Sequence, residues 1–332
     1  MASTDSEKLK NPDILVLDNP TKVYVDGGRV AISEHFIKED RDITNRYYPN
    51  DISSLIFLTD RYSISGAAMK MLFNTEVLHM SNREPVCYLV PAINLPKRIL
   101  FDKKIAMIPN SRRYDIAFKF CKGVCLGRIY EIRKIVSRNP DDFLSDRIKK
   151  MQTLERQLIH CKTASELKPI EGNIARHFFA CIRHLIHDDV EFKSRDRFSG
   201  DLYNVLLNLS HGILRSQITR MLMYNGINTG WGFLHYQKDK NEHFLGWDFA
   251  EFWIPQVDKL CLYGINKGIF NEKSLKKSES GQNPYWVSKS GCKKMRSLMN
   301  RIKQEHIQQK IDEFRDSILN KKRFGWTICR GK

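Results

Sequence analysis

Two carboxylates and an imidazole, far apart in the chain, are the residues best suited to chemistry. Glu171 opens Glu171-Gly-Asn-Ile-Ala-Arg-His-Phe-Phe179, His235 closes Gly232-Phe-Leu-His235, and Asp248 lies in Leu245-Gly-Trp-Asp-Phe-Ala-Glu251. Each is crowded by residues that belong in a core, where an ionised carboxylate is costly unless something positive meets it. An oxygen-rich set with one imidazole suits Mg2+ or Mn2+ better than zinc, which prefers more nitrogen or sulfur. Such an ion polarises a phosphoryl oxygen and steadies the charge that develops during displacement. Glu251, three residues after Asp248, shares its helical face.

The same residues admit a plainer reading. Glu171 could be an N-terminal carboxylate facing the helix dipole, His235 a hydrogen-bonded core histidine, and Asp248 and Glu251 first-turn charges. Spacing alone leaves both readings open. His184 and His187 step by three with no third ligand, which reads as structural. Gly226, Gly230 and Gly232 are followed by no Lys-Ser/Thr and so make no phosphate loop.

Charge points to the partner. The 332 residues carry 55 Lys and Arg against 38 Asp and Glu, a net charge of +17. That excess favours a polyanion, nucleic acid first and an acidic membrane surface second, over a mere solubility surface. The start is polar, unlike a signal peptide, and no apolar run reaches the roughly 18 residues of a membrane span. Eight cysteines fall in no paired metal spacing, and Cys121 and Cys125 merely share a helical face. A reduced, cytoplasmic location is the expectation.

These residues need elements to position them, and the patterning predicts an α+β chain: an N-terminal β-rich domain followed by a larger all-α catalytic domain. Over residues 12–92 the period is mostly two. Lys22-Val-Tyr-Val-Asp and Arg29-Val-Ala-Ile-Ser flank Gly27-Gly28 as a hairpin. Further strands are expected over 51–59 and 86–90, with a helix between them capped by Ser63 or Ser65. Pro91, Pro96 and Pro109 mark 93–110 as a linker. Residues 111–319 then read as helical, and 320–332 as a mobile basic-aromatic tail with Lys321, Lys322, Arg323, Phe324 and Trp326. One helix carries an apolar face over 170–187, with Glu171 near its start. Another runs from a cap at Asp201 to Gly226, with a polar stripe of Asn204, Asn208, His211 and Arg215. Residues 288–317 fit one amphipathic helix. From 256 onward, 18 Lys and Arg face 7 Asp and Glu, part of it a solvated face.

Taken in order, these segments resemble the motifs of the CRISPR-associated spacer-acquisition integrase family. Glu171-Gly172 with Ala175, Arg176 and Phe178-Phe179 is similar to its glutamate motif, and Asp201-Leu-Tyr-Asn204-Val-Leu-Leu to the helix that follows. Gly226-Ile-Asn-Thr-Gly-Trp-Gly-Phe-Leu-His235 resembles its histidine motif. Asp248-Phe-Ala-Glu251, continued by Pro255 and Asp258, resembles its acidic helix. The likeness runs over about residues 20 to 310 and includes the β-rich half. Leu202 and Thr229 stand where the family usually has proline, Phe178 where it often has tyrosine, and Asn208 and His211 where smaller or aromatic residues are common.

The resemblance implies a metal-dependent DNA integrase that acts as a homodimer. It would join 3′-hydroxyl ends of short duplex DNA into a CRISPR repeat, beside a small second-numbered CRISPR-associated protein. It implies that Glu171, His235 and Asp248 hold Mg2+ or Mn2+, with Glu251 and Asn204 supporting, and that the β-rich domain forms the dimer. His235 must be neutral to ligate, so activity is expected to fall below a pH of about 6.5. Arg195, Arg197 and Arg176 are the expected DNA contacts, with Arg112 and Arg113 behind them. Removing His235 or Asp248 is expected to abolish joining and leave folding intact. The alternatives are a casposon-type transposon integrase, a structure-selective nuclease and a DNA-binding scaffold without chemistry.

Overall fold

The computed structural model describes residues 13–72, 75–81, 84–89, 95–235, 243–277, 285–322 and 324–325. Strands come first and helices follow, the expected α+β order. The chain falls into two compact units: residues up to Arg98 together with Tyr224–Gly226, and the remainder.

In the first unit, β1 (Asp13–Leu17), β2 (Thr21–Asp26), β3 (Arg29–Phe36) and β4 (Arg41–Tyr47) are followed by β5 (Ile52–Phe57) and β6 (Tyr62–Ile64). Then come α1 (Gly66–Met71), β7 (Glu76–Ser81) and β8 (Glu84–Leu89). They form two four-stranded sheets, ordered β4-β3-β2-β6 and β1-β5-β7-β8. The Gly27-Gly28 turn closes the expected hairpin, with φ of 56° and 73° that glycine adopts without strain. Its register sets Val23 opposite Ile32, both buried. Ser65, rather than Ser63, caps α1, its Oγ accepting from the Ala68 N–H at 3.2 Å.

The second unit starts inside the stretch expected to be a linker, which instead holds α2 (Leu95–Ala106). Pro96 sits in the first turn, where its missing N–H has no helical partner to lose. Further along, Phe101 and Ile105 are fully buried in the main core. There follow α3 (Asn110–Val136), α4 (Asp142–Gln157), α5 (Ala164–Leu185), α6 (Leu202–Tyr224), α7 (Phe244–Ala250) and α8 (Ile254–Asn266). The hairpin β9 (Leu275–Lys277) and β10 (Tyr285–Val287) precedes α9 (Lys289–Met299) and α10 (Gln304–Asn320). The single helix expected over 288–317 is therefore two. Its apolar stripe loses phase: Met295, Met299 and Ile302 step by four and three, and Ile307 comes five later.

The chain beyond α10 also departs from expectation. Phe324 is buried, its ring centroid 5.4 Å from Phe314, 5.6 Å from Phe120 and 6.1 Å from Phe252. Lys310, buried on α10, donates to Glu313 and lies 5.9 Å over the Phe324 ring. An aromatic side chain buries its area wherever the chain can reach the core, and a basic neighbourhood does not forbid it. Trp326 lies outside the described residues. Phe324→Ala is expected to destabilise the protein by about 3 kcal/mol, read as a lower thermal midpoint; a solvated tail residue would leave the midpoint unchanged.

Candidate metal centre

The site is built on four helices and one tight loop. α5 starts at Ala164, where the Thr163 hydroxyl caps the Glu166 N–H. Glu171 is therefore two turns inside the helix, with Pro169 behind it, not at the opening. That removes the dipole explanation for its charge, which acts only within the first turn. Its partner is Arg128 of α3, whose Nη1 donates to Glu171 Oε1. Arg128 sits on an i+4 apolar stripe with Phe120, Val124 and Ile132, and is itself almost wholly buried. Burial alone would lower its pKa, but the charges of Glu171 and Glu251 outweigh that and raise it.

Asp248 of α7 is fully buried and completely engaged. Its Oδ2 accepts the N–H groups of Phe233 at 2.7 Å and Leu234 at 3.1 Å. Its Oδ1 accepts the His235 N–H at 2.8 Å and meets His235 Nδ1 at 2.9 Å. A carboxylate has about four lone-pair sites, and all are used. The loop can turn this sharply because residue 232 is glycine: a Cβ there would lie 2.0 Å from the His235 carbonyl oxygen. With Nδ1 tied to Asp248, the second ring nitrogen, Nε2, points to Glu251 Oε1 at 3.7 Å. Asp248 thus fixes the tautomer and aim of the imidazole, as carboxylates behind metal-binding histidines do.

Glu251, at the end of α7, is the carboxylate with spare capacity. Among the described residues its ion partner is His235 alone. Burial raises its pKa, Glu171 raises it further, and His235, Arg128 and Arg215 pull the other way. His235 is lowered by burial, but the hydrogen bond to Asp248 and the charge of Glu251 prevail and raise it. Its proton therefore persists above the ordinary imidazole value, and the expected acid limit near 6.5 moves upward.

Glu171, His235, Asp248 and Glu251 are thus gathered in one place, but their roles differ from the sequence expectation. Asp248 has no free oxygen to offer, whereas Glu251 does. As the side chains stand, no three His, Cys, Asp or Glu groups among the described residues converge on a point that could hold a metal ion, and Glu171 is turned to Arg128. The donors still fit a hard divalent ion: a directed imidazole nitrogen and two carboxylates, one of them buried without a hydrogen-bond donor among the described residues.

Other expected groups serve the scaffold. Asn204 is fully buried, binding the Ser194 carbonyl, the Asp196 N–H and the Asp201 carboxylate. Arg195 donates to Asn204 at 3.0 Å and Asn208 at 2.7 Å, so its guanidinium is spent on the 194–197 loop. The polar stripe on α6 faces inward: His211 pairs with buried Asp258 at 2.6 Å. Arg113 donates to the Ile105 carbonyl at 2.9 Å, and Arg112 to the Ser317 carbonyl. Arg176 and Arg197 are exposed. Arg128 and Arg215 were missed as site residues. The signal for Arg128 was a cation at i+4 spacing in an otherwise apolar stripe.

A β-rich unit followed by a helical unit that gathers two glutamates and an aspartate-held histidine defines a class of chain, and the comparisons agree. The family model described as "CRISPR associated protein Cas1" matches residues 14–301, and the chain belongs to that family. It is 30% identical over 152 residues to "CRISPR-associated protein Cas1 3" of Methanobrevibacter ruminantium, a match spanning 44% of either chain. It is 23% identical to "CRISPR-associated endonuclease Cas1 1" of Saccharolobus solfataricus, over 82% of this chain and 72% of that one. The match to the first of these covers less than half the relative's length. Among solved structures, a casposase bound to integration product shares the fold with TM-score 0.73 and 19% identity, over 96% of this chain and 95% of that one. A CAS1 protein from Thermotoga maritima does so with TM-score 0.72 and 16% identity, over 94% and 99%. A chain of a Cas6-RT-Cas1–Cas2 complex does so with TM-score 0.74 and 18% identity, over 96% and 36%.

Proposed function

We propose that this chain is a metal-dependent DNA integrase and endonuclease that joins 3′-hydroxyl ends of short duplex DNA into a CRISPR repeat. The observation that carries the reading is the His235–Asp248–Glu251 arrangement, a directed imidazole nitrogen beside a buried carboxylate that has no hydrogen-bond donor among the described residues. In this reading Glu171, His235 and Glu251 hold Mg2+ or Mn2+, and Asp248 positions His235. A bound ion of this kind supplies Lewis-acid stabilisation of a phosphoryl oxygen. The chain's own part is to hold Nε2 and the carboxylates in place before the DNA arrives. During joining, the 3′-hydroxyl oxygen forms a new P–O bond as the target's P–O3′ bond breaks, releasing a 3′-hydroxyl and conserving the number of phosphodiesters.

The net charge of +17 supports a DNA partner, and exposed Arg176 and Arg197 remain its phosphate contacts. Arg195 supports them by shaping their loop. No described helix is long and apolar enough to cross a membrane, and the free thiols among the described cysteines accord with a reduced cytoplasmic setting. A homodimer through the β-rich unit is part of the same reading, and assembly with the second-numbered CRISPR-associated protein is supported by the Cas1–Cas2 complex among the structural relatives. The casposase, covered over 95% of its length, favours one second reading: the same chemistry on transposon ends.

One assay separates these readings. Supercoiled repeat plasmid is incubated with Mn2+ and a short duplex whose 3′ ends are free or blocked, with and without the partner protein. Joining that needs free 3′ ends and prefers repeat DNA is the expected result. Preference for transposon ends supports the second reading, and cleavage without joining supports a nuclease.

A further inference from the structure

One cation near the site makes no ion-pair contact among the described residues, although its charge acts on Glu251. Arg215 of α6 lays its guanidinium over the Trp247 ring, 5.0 Å from the centroid. Trp247 precedes Asp248 and stands edge-on to the His235 ring at 6.2 Å. Arg215, Trp247 and His235 thus adjoin one another in a row at the site. Arg128 spends its charge on Glu171, but no carboxylate among the described residues pairs with Arg215. Its Nε is buried and has no hydrogen-bond partner. A buried N–H left unmade costs about 1–3 kcal/mol, so such a group is retained where something else comes to satisfy it. The cation–π contact steadies the guanidinium, and its fork of donors matches two oxygens of one phosphate.

We propose that Arg215, on its Trp247 platform, is a catalytic residue that grips the non-bridging oxygens of the phosphodiester under attack. The assignment rests on the DNA-joining reading above. Negative charge builds on those oxygens as the 3′-hydroxyl adds, and a donor fixed beforehand at that point stabilises the transition state more than the ground state. Lysine at this position would restore charge but neither the fork nor the flat stack.

The test uses the full chain with its joining assay, Mn2+ binding followed by electron paramagnetic resonance, and thermal melting. The variants are Arg215→Met, which keeps the aliphatic stem, and Arg215→Lys. Arg215→Met is expected to lower kcat for joining about 100-fold, with Mn2+ affinity and melting temperature close to wild type. Arg215→Lys should recover about tenfold of that loss. A target with one neutral methylphosphonate at the attacked position gives the readout that a structural role would not move. It should slow the wild type strongly and Arg215→Met little further, since charge and its partner are lost together. Equal slowing of both proteins by the methylphosphonate, or a wild-type rate in Arg215→Met, would overturn the assignment. Wild-type protein that neither binds Mn2+ nor joins ends would overturn the underlying reading, and this assignment with it.

Discussion

Glu251→Gln should remove Mn2+ binding and lower metal-dependent joining by about 10³-fold or more, while the protein stays folded. Glutamine keeps the volume of the side chain and loses only the charged oxygen. Among the described residues Glu251 accepts no backbone hydrogen bond, and its ion partner, His235, stands 3.7 Å away. Burial and the neighbouring Glu171 already disfavour the ionised form. A neutral amide relieves burial and repulsion while giving up the attraction of His235, Arg128 and Arg215, so the metal-free melting temperature should change little. Titration of Mn2+ by electron paramagnetic resonance, with the joining assay, reads both halves. Retained Mn2+ affinity and joining in Glu251→Gln would remove Glu251 from the ligand set.

Much of this was legible in the sequence. The β-rich first half followed its period-two alternation, and Gly27-Gly28 marked its hairpin because few other residues hold positive φ twice in succession. Asp201 was readable as a cap, and its Oδ1 does accept the Asn204 N–H at 2.9 Å. Pro96 was read as punctuation although it lies in the first turn of α2, so a helix that buries Phe101 and Ile105 became a linker. The apolar face counted from residue 170 placed Glu171 near a helix start that lies at Ala164. At the site, residue types and order singled out the four acidic and imidazole groups of the proposed centre. Which carboxylate is free was not legible, because it depends on where the N–H groups of Phe233, Leu234 and His235 point, a property of the folded loop. The polar stripe on α6 was visible too, but periodicity does not say whether a stripe faces water or a buried Asp258.

Asp248→Ala is expected to be the most destabilising change at the site, losing about 4 kcal/mol, contrary to the expectation that folding would survive intact. Asp248 is the acceptor for three backbone N–H groups and for His235 Nδ1. Each buried donor left unsatisfied costs about 1–3 kcal/mol, and the sum is reduced because a water or a shift of the loop recovers part of it. Against a total stability of about 5–15 kcal/mol, the loss is readily measured by denaturant unfolding. Hydrogen exchange should localise it, with the amides of residues 233–235 losing protection first. Metal affinity should fall about 10–100-fold as His235 loses its tautomer and its aim, so joining is impaired through position rather than through a lost ligand. Asp248→Asn should be intermediate, since its carbonyl satisfies one pair of donors while its amide faces the other pair. Glu251→Gln and Asp248→Ala therefore give opposite signatures: metal lost with stability kept, against stability lost with metal weakened. An Asp248→Ala protein as stable as wild type yet unable to bind Mn2+ would make Asp248 a direct ligand and return the site to the arrangement its sequence first suggested.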